Sequence, residues 1–343
     1  MKIVVFGPER RVGAIHDERL IVDLSAAYAK LLHEQKGEHH AVAVAAALVP
    51  VDLSRFIERG DAALDAARQS IDHLFRSALT QTGPHGETIV HPVGTVRLHA
   101  PRPQGARIAC AGGNYADHHL AMAQRRPGGK QEAAALTLQG VTDSIRKSGF
   151  WGFWKIDRTC LGPNEDLSYP ARATYLDYEG EAAIVLGRRG KNIRAEDWKA
   201  YVWGVTLLCD WSIRQIPESG RMNFAMAKNF DGSCSLGPCI LVGADAANID
   251  VTTEVSGQRR QSYNTRDMVF SFGECLAFLS RDLTLYPGDI VSGGTAAGTA
   301  QDSSDLIGDG VLSPERFLKA GDIVEVSSPQ IGPLRNTVVS AAV

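Results

Sequence analysis

Leu176-Asp177-Tyr178-Glu179-Gly180-Glu181-Ala182-Ala183-Ile184-Val185-Leu186-Gly187 is the stretch on which the reading of this chain turns. Side chains alternate faces along a strand, so Glu179 and Glu181 point the same way, and the run Ile184, Val185, Leu186 predicts a buried strand behind them. Two carboxylates side by side repel unless water or a cation screens them, and a hard divalent ion is the common solution. Asp210 supplies a third acid, closing the apolar run Val202-Trp203-Gly204-Val205-Thr206-Leu207-Leu208-Cys209. Packing explains such an acid poorly, because Asp is rarely buried unpaired. Spacing alone leaves two readings open: a cation site, or three solvated loop ends.

Outward from that stretch, 343 residues with 44% hydrophobic and 22% charged side chains predict a folded chain with a large core, divided into two units. The net charge of -3 excludes a general attraction to nucleic acid or to an anionic membrane. Six cysteines, at 110, 160, 209, 234, 239 and 275, form no CxxC pair, which argues against zinc and disulfide scaffolds and for reduced thiols in a cytoplasmic protein. Met1 to Gly7 is too short for a signal peptide, and no run approaches the ~18 apolar residues of a membrane span. The 34 glycines predict many tight turns and a strand-rich body.

Lys2 to Phe6, Arg11 to Ile15 and Leu20 to Leu24 read as short strands, followed by helices from Ser25, as cap, to Leu32, from Ala41 to Leu48 and from Asp61 to Leu79. Between Thr80 and Pro103 the composition turns to Gly, Pro, His and Val, which places a boundary between a unit over 1–103 and a larger one over 104–343, entered by a strand at Thr95 to Leu98. Gly7 to Gly13 is no GxGxxG fingerprint, and Gly293 to Gly298 lacks the lysine of a P-loop; its backbone and Thr295 suit a small carboxylate instead.

Candidate chemistry gathers around the acids. Ile108 to His119 reads as a small-residue strand, a Gly turn and a helix start, and His118 there is either a general base oriented by a neighbouring carboxylate or a surface histidine. The polar segment 123–147 is either a lid or a surface insertion, and the aromatic cluster Phe150 to Trp154 either walls a pocket or joins the core. Arg214 would hold a substrate carboxylate or pair with Asp210, and Lys228 is an oxyanion donor or an exposed lysine.

Together, Gly113-Asn114-Tyr115 with His118, Asp177 to Glu181, Asp210 with Ser212 and Arg214, Lys228 to Asp231 before Leu236-Gly237-Pro238, Pro287-Gly288-Asp289, Gly294-Thr295 and Gly321-Asp322 resemble the fumarylacetoacetate hydrolase family from about residue 105 to the end. The resemblance implies an α+β, strand-dominated fold, a mixed β-roll with a small N-terminal α/β domain, in a homodimer. It implies Mg2+, or Mn2+ with Ca2+ as an option, held by Glu179, Glu181 and Asp210, and a small-molecule oxo acid contacted by Tyr115, Arg214, Lys228 and Thr295. Two positions depart from the family. Where members of the His-x-x-Glu form carry a glutamate this chain has Ala121, so Asp117 or Glu132 is the expected replacement, and Gly294-Thr295-Ala296 stands for Gly-Thr-Pro.

The expected function is that of a metal-dependent hydrolase cleaving a carbon-carbon bond in an acylpyruvate-like or β-dicarbonyl acid. In it His118 activates water, Lys228 steadies charge on the substrate oxygen, and Arg214 and Thr295 orient the acid. A 2-oxo acid decarboxylase, tautomerase or hydratase with the same pocket is the alternative that Ala121 favours, and a catalytically silent relative that binds an oxo acid is a third.

Overall fold

The computed structural model describes residues 1–76, 81–125, 129, 133–156, 158–215, 223–308 and 311–341. Two sheets dominate it. The larger has 11 strands, running in space Val90–Pro92, Leu20–Asp23, Arg11–His16, Lys2–Phe6, Cys234–Val242, Val202–Asp210, Gly180–Leu186, Ile290–Ser292, Ile108–Ala111 and Gly152–Lys155, with Leu98–His99 also paired to Lys2–Phe6. The smaller has five strands, Gln258–Asn264, Asp250–Val255, Ile323–Ser328, Gly332–Val339 and Asp166–Ser168. Both are mixed. Ile290–Ser292 runs parallel to Ile108–Ala111, and Gly332–Val339 runs parallel to Asp166–Ser168. This is the strand-dominated α+β architecture expected from the sequence.

The period-two alternation of the Gly180–Leu186 strand sorts its side chains between two cores. Ala182, Ile184 and Leu186 pack with Val251, Val324, Val326 and Val338 of the smaller sheet. Ala183 and Val185 face the opposite way, toward Leu208, Ile240 and helix residues Leu31, Phe56 and Ile57. A strand buried on both faces must be apolar throughout, which explains why this run reads as continuous rather than alternating. Glu181 falls on the same side as Ala183 and Val185. At its end of the strand, however, the helices give way to a cavity.

The first three strands form where expected, as do helices over Ala41–Leu48 and Asp61–Arg76, while the last residues of the helix predicted to Leu79 lie outside the described part. Two local readings change. The first helix spans Leu24–Lys36 and is capped by Asp23, not Ser25: the Asp23 carboxylate accepts from Ala26 N at 3.0 Å and also pairs with Arg11. An aspartate two positions upstream does the capping better because its charge favours the helix N-terminus. The strand expected at Thr95 to Leu98 comes three residues later, at Leu98–His99.

The 1–103 segment does not stand apart from the rest of the sheet. Lys2 and Ile3 pair with Leu241 and Ile240, so the N-terminal strands extend the same hydrogen-bonded layer. No helix among the described residues is long and apolar enough to cross a membrane.

Candidate active site

Glu179 precedes the Gly180–Leu186 strand, Glu181 lies in its first turn of the pleat, and Asp210 ends the neighbouring Val202–Asp210 strand. Antiparallel pairing places Gly180 opposite Cys209, so the three acids meet at one sheet end. One carboxylate oxygen from each lies within 4.8 Å of the others, and all three residues are buried. The reading of solvated loop ends is thereby excluded.

Burying carboxylates costs several kcal/mol each unless charge compensates them. Here two lysines and an arginine do much of that. Lys228 Nζ donates to Glu179 Oε2 at 2.6 Å, to Asp210 Oδ2 at 2.9 Å and to Ser212 Oγ at 2.6 Å. Lys155, from the Gly152–Lys155 strand, reaches Asp210 and donates to the Lys228 carbonyl at 2.7 Å. Arg214 Nε donates to Asp177 Oδ2 at 2.8 Å and its Nη2 to Glu179. Burial opposes charge on both lysines, yet Asp210 raises Lys155 above its ordinary value, and Asp210 with Glu179 does the same for Lys228. Both stay ammonium ions. Burial likewise works to raise Glu179, but Lys228 and Arg214 hold it below the usual carboxylate range.

Glu181 is different. Its described partner is the Ser292 hydroxyl, and burial, followed by repulsion from Asp210 and Glu179, pushes its carboxyl well above the usual range. Four buried carboxylates, Asp177 included, thus face three buried cations, with Glu181 the least compensated. An all-oxygen donor set short of positive charge fits a hard divalent cation such as Mg2+ or Mn2+.

His118 faces the same cavity from the helix Ala116–Gln124. Its Nδ1 lies 2.6 Å from Asp302 Oδ2, a contact spanning 184 positions, and the Asp302 side chain is fully buried. Asp302 sits in the short helix Ala300–Ser303, where its two carboxylate oxygens also accept from Gly298 N at 3.0 and 3.2 Å. A carboxylate on Nδ1 selects the tautomer that carries its proton there and leaves Nε2 as the basic nitrogen. The expectation for Asp117 is corrected accordingly, since it is exposed and accepts from the His118 backbone N at 2.7 Å; Glu132 lies outside the described residues.

The cavity holds about 220 Å³ and brings together His118, Glu179, Glu181, Arg214, Lys228 and Thr295. Of the three expected substrate contacts, Arg214 and Thr295 line this cavity and Tyr115 sits apart from it. Tyr115 does not line it; the ring is buried edge-on against Tyr263, centroids 4.9 Å apart. Arg214 pairs with Asp177 and Glu179 rather than with Asp210, and so orients the acids. Thr295 Oγ1 donates to Gly180 O at 3.0 Å and accepts from Gln261 Nε2 at 2.8 Å, tying the Gly-rich turn to the acid strand. A larger open cleft of about 950 Å³ lies elsewhere, lined by Arg10, Arg102 and Arg158 among others, and contains none of the three acids.

Lys155 and Asp302 escaped the sequence reading. Lys155 directly follows the aromatic run Phe150 to Trp154, and a lysine closing an aromatic-rich strand was a usable signal. Asp302, within Gln301-Asp302-Ser303-Ser304-Asp305, reads as ordinary polar loop and carried none.

Fold and site together define an α+β protein with three clustered buried carboxylates that could hold a cation, and an acid-oriented histidine, at the end of a mixed sheet. The model of the fumarylacetoacetate hydrolase C-terminal region matches residues 107–339, and the chain belongs to the fumarylacetoacetate hydrolase family. Curated relatives include the mitochondrial oxaloacetate tautomerase FAHD2A of Bos taurus, 32% identical over 297 residues, covering 85% of this chain and 81% of that one. Oxaloacetate tautomerase YisK of Bacillus subtilis is 28% identical over 333 residues, 95% of each chain. Among solved structures, a fumarylacetoacetate hydrolase from Exiguobacterium antarcticum superposes with a TM-score of 0.70 at 25% identity over 99% of both chains. The fold is shared too by maleylpyruvate hydrolase from Sphingobium sp. SYK-6, solved with manganese(II) and pyruvate, at a TM-score of 0.65, 22% identity and full coverage of both chains.

Proposed function

We propose that this protein is a divalent-metal-dependent enzyme that moves a proton at the carbon beside the carbonyl of a 2-oxo acid, interconverting keto and enol forms. The observation that carries this reading is His118, oriented through Nδ1 by buried Asp302, in one cavity with Glu179 and Glu181 of the three-acid cluster. Glu179, Glu181 and Asp210 would hold Mg2+ or Mn2+, which when bound supplies Lewis-acid stabilisation of an enolate. His118 Nε2 takes the proton from carbon 3 of the keto acid, the Asp302 carboxylate stabilises the resulting imidazolium, and the same proton is then delivered to the substrate oxygen to give the enol and regenerate the neutral imidazole. Arg214 keeps Glu179 ionised and aimed, and Lys228 adds a fixed positive charge beside the place where oxygen gains negative charge. The oxaloacetate tautomerases among the relatives support this chemistry.

Hydrolytic carbon-carbon cleavage of an acylpyruvate-like or β-dicarbonyl acid is the second reading. The same dyad favours it, since Nε2 can equally take a proton from water. Purified protein with Mg2+, assayed by loss of enol absorbance on oxaloacetate and a set of acylpyruvates, with product analysis, separates the readings: tautomerisation leaves the carbon skeleton whole, and hydrolysis releases two acids. Turnover that survives a chelator, or that His118→Ala leaves unchanged, overturns both. Inertness toward the whole set would leave only a binding role.

A further inference from the structure

Resting on the 2-oxo acid reading, we propose that the substrate's far end is an apolar, ring-sized arm rather than a second carboxylate. The cavity has two unlike ends. At the buried one stand Glu179 and Glu181 with Arg214 and Lys228; at the less buried one, Met122, Trp151, Phe153 and Phe224. Three of these form one aromatic wall. Trp151 and Phe224 meet edge to face with centroids 5.3 Å apart, Phe153 and Phe224 lie 5.4 Å apart, and Trp151 and Phe153 6.5 Å apart.

Backbone chemistry holds that wall in place. Gly112 lies beneath the Trp151 indole, where a Cβ would run into the ring, and Gly112 N donates to Trp151 O at 3.0 Å. A glycine in the turn after the Ile108–Ala111 strand is therefore what lets an indole lie over the site. Trp151 remains 43% exposed, an unfavourable state for a large apolar ring that a ligand covering it would relieve. Lys228 Nζ sits 5.2 Å from the Phe153 ring centre, so one side chain bridges the charged and aromatic ends.

The cations settle the contrast with a dicarboxylate. Among the described residues lining the cavity, Arg214 and Lys228 are the arginine and lysine, and carboxylates of the protein engage both. A second substrate carboxylate would leave water to face ring surfaces of like electrostatic sign, with both the lining arginine and the lining lysine already paired to protein carboxylates, whereas an aryl or alkyl group gains ring contacts.

The test compares kcat/KM for benzoylpyruvate, an aliphatic acylpyruvate and oxaloacetate with Mg2+ present, and measures binding of phenylpyruvate against oxaloacetate by calorimetry. The apolar-armed acids are expected to be favoured by about 10-fold or more, with the advantage in KM and in binding. Trp151→Ala and Phe224→Ala should each collapse that ratio toward one. Because Trp151 is at the surface, its replacement keeps the fold, which circular dichroism checks. A wild-type preference for oxaloacetate, or a ratio unmoved by Trp151→Ala, overturns the apolar arm while leaving the 2-oxo acid reading in place. Tighter binding of phenylpyruvate without turnover of any acid would support the arm and sink the catalytic reading.

Discussion

At the scale of single residues, the consequence of Ala121 is that the histidine's carboxylate arrives from elsewhere in the chain. Asp302 takes that place, and its burial makes the contact strong, because no solvent competes for Nδ1. Asp302→Asn should lower kcat by about 100-fold with KM nearly unchanged, since general-base assistance is worth about that much or more. Steady-state kinetics across pH checks this: a base of altered strength also moves the acidic limb of the rate profile, and Asp302→Glu should recover part of the rate. An unchanged profile in the Asn variant would mean that Asp302 only holds the turn. Lys155 makes a different prediction. Lys155→Met leaves Asp210 with less compensation inside the protein, and breaking a buried pair from one side costs about 3–5 kcal/mol. Urea denaturation should show a loss of that size, reduced where Lys228 takes up the freed oxygen.

Among the elements, the Gly180–Leu186 strand gives the site its rigidity. It is paired on both sides, by Val202–Asp210 and by Ile290–Ser292, and buried on both faces, so an acid at its end is held by a large cooperative unit. The short Ala300–Ser303 helix couples to this frame through Asp177, whose carboxylate accepts from Ala300 N at 2.7 Å and Gln301 N at 3.1 Å while pairing with Arg214. One acid thus links the segment bearing Asp302 to the segment bearing Glu179. Away from the site, Asp23→Ala removes both the cap of the Leu24–Lys36 helix and the partner of Arg11. A loss of about 1–2 kcal/mol is expected by urea denaturation, with activity retained.

Over the whole molecule, the N-terminal strands share a layer with the strands that bear the three acids, and their helices cover its second face. We propose that residues 1–103 are a stabilising extension: removing them would bare the Cys234–Val242 edge and the apolar face around Ile240, and the remainder should aggregate, as light scattering would show. The homodimer expected from the family resemblance is checked by the same method, and a single-chain mass would overturn it. Thiol reactivity reports on the core. Burial raises the thiols of Cys110, Cys209, Cys234 and Cys275 well above their ordinary value and pushes Cys239 up to about 12, so near pH 8 all five stay protonated. A thiol reagent should label at most half-buried Cys160 in the native protein and all six cysteines after denaturation.

Local periodicity was enough to find the acids and their strand, because the alternation of side chains is a property of a few consecutive residues. An Asp ending an apolar run signals a functional strand end for the same reason. Spacing could not reveal which side chains meet across the sheet. Asp302 reaches His118 over 184 positions, Lys155 reaches Asp210 from an edge strand, and Arg214 pairs with Asp177 and Glu179. Tyr115, so close to His118 in the chain, points into the core instead. Those contacts depend on how separate strands and turns pack, and packing couples residues whose distance along the chain carries no trace of their distance in space.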